Sequence, residues 1–159
     1  MDLFPLFLIA PILVAVAYFD LRFMRIPNVI TLILVFFFAI LAWIWPLALP
    51  EFGLRFAVAA IVFMIGFIGF FFGLVGAGDV KILSALMLYV PFSTIAVFAN
   101  VFSASLILGA LIVLFLRRFD KIAAMGWKSI GGSHKFPMGL SIAMSGLALP
   151  AVAMLLEHY

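Results

Sequence analysis

Long apolar runs alternate along the chain with short clusters of charged and turn-forming residues. Six runs suit helices, at roughly 3–19, 29–49, 54–75, 80–93, 96–116 and 138–157. A helix needs about 20 apolar residues to cross the hydrocarbon core of a bilayer, so these runs are read as membrane spans. The breakers fall between them. Pro27-Asn28 opens the second helix, and Pro46 and Pro50 are expected to close it. Gly76-Ala77-Gly78 precedes the fourth, and Pro91-Phe92-Ser93-Thr94 separates the fourth from the fifth. The uncharged stretch from Ile82 to Leu116 exceeds any single span. It is expected to fold back near Pro91, leaving the fourth helix short.

Composition turns this pattern into a class. Hydrophobic residues make up 69% of the chain, charged residues 9%, and mean hydropathy is +1.45. Soluble domains average roughly 45–50% apolar and 25% charged residues, so no globular core could hide this much apolar surface. The expected fold is all-α: a polytopic membrane protein with about six transmembrane helices. It forms one membrane-embedded unit over residues 1–159, with no soluble domain, linker or repeat.

The net charge of +3 and pI near 9.6 acquire meaning from their distribution. Short loops rich in Lys and Arg stay on the cytoplasmic side. Arg22 and Arg25 follow the first run, Lys81 follows the third, and Arg117, Arg118, Lys121, Lys128 and Lys135 lie between the fifth and sixth. The opposite loops hold only Arg55, alongside Glu51. Both termini are then extracytoplasmic, and Asp20, Asp79 and Asp120 face the cytoplasm. The basic residues are topology signals, so the expected partner is the lipid bilayer and not nucleic acid. Met1-Asp2-Leu3-Phe4-Pro5 begins acidic, and its basic residues come after the apolar run, so the first run is read as a retained span. The basic connector 117–137, with Trp127 and Gly131-Gly132, reads as a cytoplasmic anchor with an interfacial tryptophan.

The absence of cysteine excludes disulfides and thiol catalysis. His134 and His158 alone make a histidine metal cluster improbable. No metal and no cofactor is expected. The six acids can therefore be weighed one by one. Asp2, Glu51 and Glu157 read as solvated, headgroup-level charges. Asp120, among Arg117, Arg118 and Lys121, reads as a solvated ion-pair partner.

Asp20 and Asp79 stand apart. Asp20 closes the first helix, where the helix dipole disfavours negative charge. Taken alone it reads as an acid neutralised by Arg22 or Arg25. Asp79, in Gly76-Ala77-Gly78-Asp79-Val80-Lys81, taken alone reads as an N-cap. Together they are two ionisable groups on one side of an apolar bundle, where such groups are costly and tend to be functional. Gly66, Gly69 and Gly73 line one approach to Asp79, with Gly69 and Gly73 in the GxxxG spacing that lets helices pack closely. Two neighbouring carboxyls share a proton, so one can activate water while the other protonates a scissile carbonyl. Gly76 and Gly78 would leave room for an extended substrate backbone beside Asp79.

Two segments resemble a known family. Asp20-Leu21-Arg22-Phe23-Met24-Arg25-Ile26-Pro27-Asn28 resembles the first block of bacterial prepilin peptidases, and Gly76-Ala77-Gly78-Asp79-Val80-Lys81 resembles their GxGD block. Phe136-Pro137-Met138-Gly139 is a weaker third match. Leu140 stands where that block has a proline, and no site role is assigned to it. The resemblance implies an inner-membrane aspartyl endopeptidase that removes the leader of type IV prepilin or pseudopilin precursors at the cytoplasmic face. Asp20 and Asp79 would be its catalytic pair. Gly76, Gly78, Lys81, Arg25 and Asn28 would shape the substrate site.

Longer members carry a cytoplasmic insert with paired cysteines and also methylate the new N-terminus. This chain lacks both insert and cysteines, so the resemblance is to the cleavage-only short form of tight-adherence, Flp-type pili. Archaeal preflagellin peptidases share the chemistry. Two other readings remain open at this point: a small proton-coupled transporter, and a non-catalytic pilus or secretion assembly component.

Overall fold

The computed structural model describes residues 3–44, 48–118, 127, 129 and 136–157. Among these residues there is no strand, and the protein is all-α. The helices are α1 (Phe4–Leu8), α2 (Ala10–Phe23), α3 (Asn28–Ile44), α4 (Leu49–Phe71), α5 (Ala77–Met87), α6 (Ile95–Leu116) and α7 (Met138–Glu157), with a 3₁₀ turn at Phe92–Thr94 before α6. Among the described residues three stretches are long and apolar enough to cross a membrane: Leu49–Phe71, Phe92–Leu116 and Met138–Leu156. Asn28–Ile44 is a shorter apolar helix.

The bundle places its apolar surface as lipid solvation requires. α4 and α6 carry rows of large apolar side chains on their outer faces, among them Ile65, Phe67, Phe71, Ile107 and Leu111. The interior gathers Leu6, Leu13, Leu34, Ile82, Leu86, Tyr89, Ile142 and Leu149. α7 packs against α6 and α2, and α4 against α5. The short α5 is consequently an inner helix. Ser84 through Val90 are all buried.

Local chemistry moves several expected boundaries. The first apolar run breaks at Ile9 between α1 and α2, each of which has a proline in its first two positions. Helical backbone then continues to Phe23, so Asp20 lies inside the last turn of α2. Pro50 does not close α3. It sits in the first turn of α4, where its missing N–H leaves no helix bond unmade.

α4 stops at Phe71 in a Schellman motif, with the Leu74 N–H on the Gly69 carbonyl and the Gly73 N–H on that of Phe70, both at 2.9 Å. Gly73 takes φ +72°, which only glycine adopts freely. The GxxxG spacing therefore does not mark a packed pair. A side chain at Gly73 would meet nothing within 4 Å, whereas one at Gly66 would come within 2.7 Å of Val80. Gly66 is the residue that brings α4 close to the start of α5.

Arg55 and Glu51 differ from expectation as well. Both lie within α4, Arg55 is only 3% exposed, and its Nε donates to Glu51 Oε1 at 3.0 Å. Neither is a solvated loop charge. Asp2, Asp120, Lys121, Lys128, Gly131-Gly132, His134, Lys135, His158 and the Glu157 side chain lie outside the described residues.

Candidate active site

Asp20 and Asp79 lie at one end of the bundle, each beside the N-terminus of a helix. Asp20 leaves the last turn of α2 and reaches α7, where its Oδ2 accepts the Leu140 N–H at 3.3 Å. The Gly139 N–H also favours its charged form. With α7 beginning at Met138, these are the second and third helical N–H groups, which have no partner within a helix. Asp20 thus caps α7 from another element. The unfavourable dipole of its own helix end is opposed by the favourable N-terminal dipole of α7.

Neither Arg22 nor Arg25 neutralises Asp20. Arg22 hydrogen-bonds the Tyr18 hydroxyl and lies over the Tyr18 and Phe23 rings, with its guanidinium 5.6 and 5.2 Å from their centroids. Arg25 is exposed in the α2–α3 turn and makes no ion pair among the described residues.

Asp79 is not an N-cap residue. Gly76 is the N-cap of α5, and Asp79 is the third helical residue. Its carboxyl turns back toward Gly76, whose N–H favours the charged form. This is half of a capping box, built from the acid side only. A Cβ at Gly76 would lie 2.6 Å from Asp79 Oδ2, so glycine there makes room for the aspartate's own carboxyl. At Gly78 a Cβ would meet Ile26 Cβ at 3.5 Å, an ordinary contact.

Ile26 connects the two halves. Its side chain faces Gly78 on α5, and its Cδ1 would lie 2.9 Å from a Cβ at Gly139 on α7. Ile26 hangs from the turn that follows α2, where Met24 adopts a left-handed backbone with φ 52°. Beside it, Lys81 Nζ donates to Asn28 Oδ1 at 3.1 Å, tying α5 to the start of α3. Of the residues expected from sequence to form the site, the fold therefore joins Lys81 with Asn28 and brings Asp20 and Asp79 to the same end of the bundle. Arg25 stands apart.

Both carboxyls lie outside the apolar runs 3–19 and 80–93, and both are pushed from an ordinary 3.8 to about 6. For Asp20 the cause is burial, opposed by the N–H groups of Gly139 and Leu140. For Asp79 burial again leads, the Asp20 charge raises it further, and the Gly76 N–H opposes. Two carboxyls that sense each other in a poorly hydrated setting hold one proton between them over part of the pH range.

Trp127 and Ser129, described residues of the basic connector, contact α2. The Trp127 ring stands edge-on to Tyr18 at 6.2 Å, and the Ser129 hydroxyl donates to the Leu21 carbonyl. Arg117 holds the Ser129 carbonyl through Nε and Nη2 at 3.1 and 2.8 Å.

The segment Phe136-Pro137-Met138-Gly139, left without a role from sequence, supplies the helix start that receives Asp20. What it contributes is backbone N–H groups and the absence of a Cβ, since one at Gly139 would fall 2.8 Å from Asp20 Oδ2. Side-chain chemistry could not reveal a backbone donor. The order Pro-x-Gly at a helix start was the available signal. Among the described residues no cluster of three His, Cys, Asp or Glu could hold a metal.

The type IV leader peptidase family matches residues 7–116. That stretch includes both aspartates and all helices from α2 to α6, while α7 lies beyond it. No curated protein and no solved structure matches the chain.

Proposed function

The chain belongs to the type IV leader peptidase family, and from that premise we propose that it is a membrane aspartyl endopeptidase in which Asp20 and Asp79 share the catalytic proton. What supports this reading is that both carboxyls lie at one end of the bundle and the charge on Asp20 raises Asp79.

In the singly protonated pair, the ionised carboxylate takes a proton from water as its oxygen attacks the scissile carbonyl carbon. The protonated carboxyl hydrogen-bonds the carbonyl oxygen as negative charge develops there. The resulting tetrahedral species collapses with cleavage of the C–N bond, and the proton taken from water passes to the leaving nitrogen. Asp20, with two N–H groups of α7 directed at it, is suited to be the ionised partner. Asp79, raised by that charge, is suited to hold the proton.

The substrate class we propose is a prepilin or pseudopilin precursor of the Flp type, cleaved at the cytoplasmic face of the inner membrane. The support is the one-sided distribution of the basic residues. In this reading Lys81 and Asn28, joined beside the start of α5, and the exposed Arg25 farther off would meet the leader, while Gly76 and Gly78 keep the start of α5 slim. The absence of cysteine favours cleavage without methyl transfer.

The test is cleavage of a candidate precursor by purified, detergent-solubilised protein, with the new N-terminus sequenced. Asp20→Asn and Asp79→Asn should each abolish cleavage while the protein still accumulates and remains monodisperse. Retained cleavage by either variant would rule out the dyad.

A further inference from the structure

At the end of the bundle away from the aspartates lies an ion pair that peptide hydrolysis does not use. α5 has 11 residues, about 16 Å of helix, against a hydrocarbon core of about 30 Å. It ends among buried residues, where no water is available to its carbonyls. Those of Ala85, Leu86 and Met87 accept the N–H groups of Leu88, Tyr89 and Val90 in tight turns at 3.3, 3.0 and 3.2 Å.

The next two carbonyls turn to a neighbouring helix. Arg55 Nη1, from α4, donates to Leu88 O at 3.3 Å and Tyr89 O at 3.4 Å. Glu51 Oε1 pairs with Arg55 and also accepts the Phe92 N–H at 3.3 Å, at the start of the turn into α6. The Tyr89 hydroxyl donates to Leu34 O of α3 at 2.6 Å. One guanidinium therefore caps the negative end of α5, its carboxylate partner caps the chain's restart, and a tyrosine fastens the same corner to α3.

From this geometry we infer that Arg55 is a positioning residue for Asp79, an inference that rests on the dyad reading above. A short helix behaves as a rod. Asp79 stands at one end of it, and the Arg55 contacts hold the other. Asp20 is set independently, by α2 and the start of α7. Releasing Arg55 lets α5 shift along or about its axis, which moves Asp79 relative to Asp20 without touching either. Catalytic geometry is steeply sensitive to such shifts, with about 1 Å able to cost about 100-fold.

The experiment compares the full-length purified protein with Arg55→Lys and Arg55→Met, reading kcat and KM for precursor cleavage. The expected result is a kcat lowered about tenfold or more in Arg55→Met, with KM within about twofold of wild type. Arg55→Lys, whose ammonium can still reach a carbonyl, should fall between. A second readout follows helix placement. The chain has no cysteine, and a Cβ at Gly78 would lie 3.5 Å from Ile26 Cβ, within disulfide range. An Ile26→Cys/Gly78→Cys pair should oxidise efficiently with Arg55 present, less with Lys, and least with Met.

If Arg55→Met does not accumulate, Arg55→Lys decides by the same two readouts. A wild-type kcat in a folded variant overturns the inference, and so does a lowered kcat with unchanged cross-linking. The companion variants Asp20→Asn and Asp79→Asn separate the two failures. Cleavage retained there defeats the dyad, whereas cleavage lost there with normal kcat in the Arg55 variants defeats only the positioning role.

Discussion

The Asp20 carboxylate and the Leu140 N–H meet at 3.3 Å, across 120 positions of sequence. This contact joins the last turn of α2 to the first turn of α7. It gives a buried acid a helix N-terminus, an environment that stabilises its charge. Replacing Leu140 with proline removes that N–H at a helix position where proline is tolerated. The bond holds the Asp20 pKa down, so its loss raises it. In Leu140→Pro the acid limb of the cleavage profile should therefore move to higher pH, read as kcat/KM against pH. An unmoved limb would show that the bond does not tune the dyad.

For the unaltered protein, the pH profile follows from both carboxyls. Each is pushed up to about 6, Asp20 by burial and Asp79 by burial and the Asp20 charge. Activity should appear as the pair loses its first proton and decline as it loses the second, a bell centred near pH 6. The two limbs belong to the pair and not to either residue. A maximum below pH 5 in purified protein would contradict this.

The same shifts make a prediction about stability. A carboxyl whose folded pKa exceeds its unfolded value binds more protons when folded, so stability falls as pH rises from about 3.8 to 6 and stays lower above that. Asp20→Asn removes the buried charge and keeps an oxygen for the α7 N–H groups. It should gain on the order of 1–2 kcal/mol at pH 8 and nothing at pH 3.5. Thermal melts of the solubilised protein at the two pH values check this. The variant expected to lose activity should be the more stable one at neutral pH.

Gly66 and Gly139 are predicted to fail differently. A Cβ at Gly66 would sit 2.7 Å from Val80, so Gly66→Ala should push α4 off α5 and cost about 1–3 kcal/mol of stability. At Gly139 the added atom meets Asp20 itself. Gly139→Ala should lower kcat about tenfold or more even at temperatures where the protein is fully folded. Melting curves and cleavage rates, taken together, separate the two.

A last prediction concerns the α6–α7 contact. The Ser141 hydroxyl is fully buried, and among the described residues its oxygen has no hydrogen-bond partner. A Cβ at Gly109 would lie 2.5 Å from it. Ser141→Ala should be neutral or stabilising, because it deletes an unsatisfied polar atom. Gly109→Ala should be destabilising alone and less so with Ser141→Ala, giving a coupling of about 1 kcal/mol in a double-mutant cycle.

Much of this protein follows from its amino-acid order. Lipid embedding and helical class follow from apolar runs and a charge content too low for a soluble domain. The short fourth helix follows from an uncharged stretch too long for one span, broken at Pro91. These are local or compositional properties, and solvent preference acts on each residue separately. The two aspartates are legible for the same reason, since a charge beside an apolar run is conspicuous wherever it occurs.

Tertiary structure decided how those charges are accommodated. Asp20 is capped by backbone groups 120 positions away, and Gly76 is small because Asp79 folds back over it. Arg55, a loop charge by sequence position alone, is the buried cap of a helix whose end lies 33 positions later. A backbone N–H or carbonyl is the same at every residue, so no sequence pattern tells which of them will be left without a partner. That depends on where helices end relative to one another in a medium that offers no water.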